Sequence, residues 1–92
     1  MLLNRTDQGI RNVIESPKRM DAAKQLARDF GGEIKNVHMT QGSFDLAFIA
    51  EMPNDEKVAG YVLKLGSLGN VRTTTLKAYS EDDYRKIIGG LN

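Results

Sequence analysis

Three features predict an α+β protein: a ferredoxin-like βαββαβ chain with a four-stranded antiparallel sheet and an extra C-terminal helix. Strand-like and helical apolar patterns alternate along the chain in the order β-α-β-β-α-β-α. Gly31-Gly32, Gly69-Asn70 and Gly89-Gly90 stand where successive helices would stop. The run Phe44-Asp45-Leu46-Ala47-Phe48-Ile49-Ala50 is nearly continuous in apolar residues, which suits a strand covered on both faces. Helices in this arrangement cover one face only, so a second copy of the chain is the economical cover for the other.

Met1 to Arg5, with Leu2 and Leu3, reads as a short first strand. Thr6 is placed to cap a helix with Asp7 in its first turn, and Ile10, Val13 and Ile14 follow at helical spacing. Ser16-Pro17 reads as a second cap followed by the proline-tolerant first helical position, giving two helical pieces over 7–14 and 17–30. Met20, Ala23, Ala27 and Phe30 form the apolar stripe of the second piece. Residues 33–41 and 43–52 read as strands joined by a tight turn at Gln41-Gly42. Pro53-Asn54-Asp55 is a stop and a new cap, and Val58, Tyr61, Val62, Leu65 and Leu68 mark the next helix. Val71 to Tyr79, rich in threonine, reads as the last strand. Ser80 then caps a short helix carrying Tyr84, Ile87 and Ile88.

The 92 residues form one domain, 1–92, without repeats or linkers. At this size the folded surface scales to roughly 5,300 Å² against about 14,800 Å² unfolded, which leaves a modest core. With no cysteine there is no disulfide framework, thiolate nucleophile or thiolate metal site. A formal charge of +1 argues against dedicated nucleic-acid binding. No signal peptide is evident, and no apolar stretch approaches the roughly 20 residues of a membrane span. These exclusions predict a cytoplasmic domain with no nucleic-acid or membrane partner.

A two-residue turn at Gln41-Gly42 would pair Met39 with Phe44, His38 with Asp45 and Val37 with Leu46. Lys35, Val37, Met39, Phe44, Leu46 and Phe48 would then share an apolar face. Ile34, Asn36, His38, Asp45, Ala47, Ile49 and Glu51 would share a mixed one. His38 opposite Asp45 is the leading candidate for chemistry, since a carboxylate favours the imidazolium and could orient a proton relay. The same pair also serves as a structural cross-strand contact. Arg72, within Asn70-Val71-Arg72-Thr73-Thr74-Thr75, could anchor a carboxylate or phosphate. Tyr79 and Phe44 complete the candidate ligand-binding set. His38, Asp45 and Glu51 lack metal-ligand spacing, so neither metal nor cofactor is expected. Gly66-Ser67-Leu68-Gly69 lies at a helix end without a following lysine, which fits helix termination rather than a phosphate loop. The RNA-binding signature of this fold class is also absent: Gln41-Gly42-Ser43-Phe44-Asp45 places no basic residue before its aromatic.

The chain resembles the GYD domain family over essentially its whole length. The carrying segments are Thr6-Asp7-Gln8-Gly9, Ser16-Pro17-Lys18-Arg19, Gly31-Gly32, Gly42-Ser43-Phe44-Asp45, Pro53-Asn54-Asp55-Glu56 and Gly66 through Leu76. The resemblance implies association through the sheet into a dimeric α+β barrel and brings no defined activity. Phe44 stands where the family's namesake motif has tyrosine, so a phenol hydroxyl is lost there and aromatic packing is kept. The resulting expectation is a homo-oligomeric protein that binds a small molecule or acts as an accessory protein. The alternative is a cofactor-independent enzyme, monooxygenase- or isomerase-like, acting on a small aromatic or enolisable metabolite. In that reading His38 is acid or base, Asp45 its orienter and Arg72 the anion anchor.

Overall fold

Short polar side chains stand just ahead of three helices and satisfy donors that those helices leave free. Thr6 Oγ1 accepts from the Gly9 N–H (3.1 Å), Asn54 Oδ1 from Lys57 (2.9 Å) and Ser80 Oγ from Asp83 (3.1 Å). In the computed structural model, which describes residues 1–91, these caps open α1 (Asp7–Arg11), α3 (Asp55–Ser67) and α4 (Glu81–Gly89). The remaining elements are β1 (Leu2–Arg5), α2 (Ser16–Asp29), β2 (Glu33–Met39), β3 (Leu46–Glu51) and β4 (Val71–Thr74). Ser16 differs from its expected role as a cap. A 3-10 turn over Val13–Glu15 runs straight into α2, so Ser16 is already helical (φ −53°, ψ −43°). This breaks the single helix expected over 7–14 and leaves Ile10 and Ile14 exposed.

The sheet order is β2-β3-β1-β4 and every pairing is antiparallel. This is the ferredoxin-like arrangement that the element order predicts. α2 and α3 pack on one face. Their Ala23, Ala27, Tyr61 and Leu65 meet Leu3, Ile34 and Phe48 of the sheet to form the buried core. Phe30 meets Tyr61 edge-on, with ring centroids 6.2 Å apart, and the Tyr61 hydroxyl donates to the Ala23 carbonyl (3.0 Å). Burial pushes that phenol up to about 12. Gly9 is fixed by close approach: a Cβ there would collide with the Asn70 carbonyl oxygen, where α1 crosses the start of β4.

The hairpin register differs from the expected one. Met39 faces Leu46, His38 faces Ala47 and Val37 faces Phe48. The Thr40 N–H donates to the Asp45 carbonyl (2.9 Å), so the loop holds four residues, Gln41–Phe44, rather than two. Gly42 takes its positive φ (+116°) inside that loop, and Thr40 Oγ1 donates to the Phe44 carbonyl (2.6 Å). The slip is two residues, so most side chains keep their face while their partners change. A bulge between Ile34 and Asn36 is the exception. It turns Ile34 into the core, 8% exposed, and sends Lys35 to the outer side with Glu33 and Glu51. Lys35 Nζ lies 3.1 Å from Glu33 and 3.7 Å from Glu51, and the Glu33 hydrogen bond leads in holding its pKa above the ordinary lysine value.

β4 also ends earlier than expected. It pairs with the four-residue β1 and stops at Thr74, opposite Leu2, because residues beyond have no strand to meet. From Thr75 the chain continues as an exposed irregular stretch and then α4, none of whose residues is buried. The molecule is accordingly elongated, 52 × 30 × 17 Å.

Candidate functional site

Strand alternation sorts the sheet into two faces with different fates. Leu3, Leu46 and Phe48 point to the helices, while Leu2, Asn4, Asn36, His38, Ala47, Ile49, Arg72 and Thr74 occupy the side that no helix covers. Leu2, Ala47 and Ile49 give that side an apolar centre, and Ile49 is 55% exposed. The C-terminal arm adds exposed Leu76, Tyr79, Tyr84, Ile87, Ile88 and Leu91. The accessible surface, 6709 Å², exceeds the roughly 5,300 Å² expected of a monomer this size. That excess is larger than the roughly 800 Å² each partner contributes to a stable interface.

The five sequence-predicted site residues do not converge. His38 lies on β2 in a row that continues through Ala47 and Leu2 to Thr74. Arg72 lies on the far strand, β4, two residues further along. Three strand spacings, on the order of 14 Å, separate the rows' ends. Asp45 is not opposite His38, correcting the expected pair: the longer loop moves it off the ladder position that Ala47 takes. Its backbone N–H donates to the Leu3 carbonyl (2.9 Å), and its Oδ2 accepts from the Arg5 N–H (2.8 Å). Asp45 therefore holds the end of β1. Phe44 sits half-buried in the hairpin loop. Tyr79 lies in the arm, with the Lys77 ammonium 6.0 Å from its ring centroid. Tyr79 also lines a cleft of about 710 Å³ between the arm and the body, where Met1, Ile49, Met52 and Leu76 join it.

A second cavity, of about 310 Å³, opens between α2, the end of α3 and the helix-side face of the sheet. Its wall is mostly hydrocarbon, from Leu3, Met20, Leu26, Phe48, Leu65 and Leu68 among others, and Arg5 enters it. None of the five expected residues lines this cavity. Arg5 carries a legible signal all the same: two residues after Leu3, it is a cation on the inward parity of its strand. Among the described residues, no three of His, Cys, Asp and Glu gather as a metal site, and no helix is long and apolar enough to cross a membrane.

The sheet order and the bare outer face define a ferredoxin-like α+β protein whose strands are shielded on one side only. The chain belongs to the GYD domain family, which it matches over residues 1–88. It is 34% identical over 74 residues to a Thermus thermophilus protein named glutamine synthetase and cystathionine beta-lyase binding protein. That match covers 79% of this chain and 78% of the relative. No solved structure matches the chain significantly.

Proposed function

We propose that this protein is a cytoplasmic homo-oligomeric accessory protein that binds another protein, and that its oligomer forms through the uncovered sheet face. The observation that carries this reading is the pairing of an apolar sheet centre (Leu2, Ala47 and Ile49) with a C-terminal arm whose large apolar side chains are at least half exposed. A second copy related by a twofold axis would bury both at once, because a twofold contact sets the same patch against itself. The name of the Thermus relative supports the accessory half, since it describes that protein by the enzymes it binds.

The enzyme alternative finds less support. Its three side chains His38, Asp45 and Arg72 are spread over the sheet, and no cavity described above joins them. Sedimentation velocity at micromolar concentration tests the oligomer, with a dimer or larger species expected and a stable monomer contradicting it. Titration calorimetry against glutamine synthetase from the same organism tests the partner class. Absence of a heat signal there, with the oligomer intact, would remove that partner and leave the assembly standing.

A further inference from the structure

We propose that the cavity beneath α2 binds a small amphipathic carboxylic acid, with its hydrocarbon body on the apolar wall and its carboxylate on Arg5. This goes beyond the docking reading and concerns the opposite face of the sheet. The volume, about 310 Å³, falls at the small end of ligand pockets, which run from about 300 to 1,000 Å³.

The headgroup follows from Arg5. Its Nε is buried without a hydrogen-bond partner, and among the described residues no carboxylate lies within ion-pair distance of its guanidinium. A half-buried cation on a mostly hydrocarbon wall calls for a counter-ion, and the planar guanidinium fork matches the two oxygens of a carboxylate. The other guanidinium on the wall is already engaged: Arg19 donates to the Asn12 carbonyl (2.8 Å) and the Gly9 carbonyl (3.2 Å). Asp29 and Lys64 also line the wall and bring opposite charges to it, so Arg5 is the unpartnered guanidinium there. Asp45 becomes a positioning residue, because its hydrogen bond to the Arg5 N–H fixes the strand end from which the guanidinium reaches inward.

Titration calorimetry of the full chain with octanoate, octanamide and octyl phosphate tests the assignment. Octanoate is expected to bind saturably, one per chain, and roughly tenfold to a hundredfold more tightly than octanamide, the range of a charge-assisted hydrogen bond. Arg5→Met should bring octanoate down to octanamide without weakening octanamide. Met20→Trp, which fills the wall, should weaken both. If Arg5→Met does not fold, Arg5→Lys replaces it, and the loss of the planar fork should still narrow the preference. Equal binding of octanoate and octanamide, tighter binding of octyl phosphate, or no saturable octanoate binding to the folded chain would each overturn the assignment.

Discussion

Phe48 and Ile49 are neighbours on one strand, yet Phe48 is 3% exposed under the helices and Ile49 is 55% exposed on the bare face. Both are large and apolar, so hydrophobicity alone does not separate them; strand parity does. The covered face is finished within one chain, through Leu3, Phe48, Tyr61 and the two small alanines that let α2 approach. The bare face has a smaller apolar centre, Leu2, Ala47 and Ile49, and no helix laid over it. Substitutions on the first should therefore cost folding, and those on the second should cost association.

The largest effect is expected for Phe48→Asp. Removing a buried aromatic already costs about 3–5 kcal/mol, and an unpaired carboxylate in its place costs more. Far-ultraviolet circular dichroism should show a chain that no longer folds. Gly9→Ala comes next, losing about 1–3 kcal/mol as the added methyl pushes α1 off the Asn70 carbonyl, measured by urea unfolding.

Tyr61→Phe should lose about 1 kcal/mol through its bond to Ala23. Its clearer signature is the pH dependence. The buried phenol's pKa is raised from 10.0 to about 12, so the stability it contributes is complete below pH 10 and lost as pH rises through about 12. Tyrosinate absorbance should show one late-titrating phenol in the wild type, and Tyr61→Phe should remove it. The smallest effect on the folded chain belongs to Ile49→Asp. Circular dichroism should be unchanged while sedimentation shifts to monomer. If instead Ile49→Asp unfolds the chain, folding and association are one event and the two faces are not separable.

The fold was legible where its causes are local. Thr6, Asn54 and Ser80 cap the helices they precede, and the stripe through Ala23 and Ala27 is the buried one. What escaped depends on partners distant in sequence. Gly42 fits a two-residue or a four-residue loop equally well, and both keep side-chain parity, so faces were readable while His38 and Asp45 were misaligned. The threonines after Thr74 suit a strand, but β1 is too short to pair with them. The setting of Arg5 depends on distant residues too, because the cavity it lines is built by Met20 and Leu26 of α2 and Leu65 of α3.

The bulge beside Lys35 makes β2 a strand with two reading frames. Beyond it toward Met39, Asn36 and His38 look outward; before it, Ile34 looks inward although it has the same sequence parity as Asn36 and His38. Deleting Lys35 would straighten the ladder and leave Glu33 opposite Glu51, Ile34 opposite Ala50 and Asn36 opposite Ile49, so every remaining side chain would keep its face. Deletion near the Gln41–Phe44 loop would shorten a connection that no core residue occupies. The hairpin should therefore tolerate a deletion at its tip and at the bulge and refuse one in the regular ladder between them, at Val37 or His38, a pattern that a deletion scan of residues 33–45 would display as a dip in soluble yield.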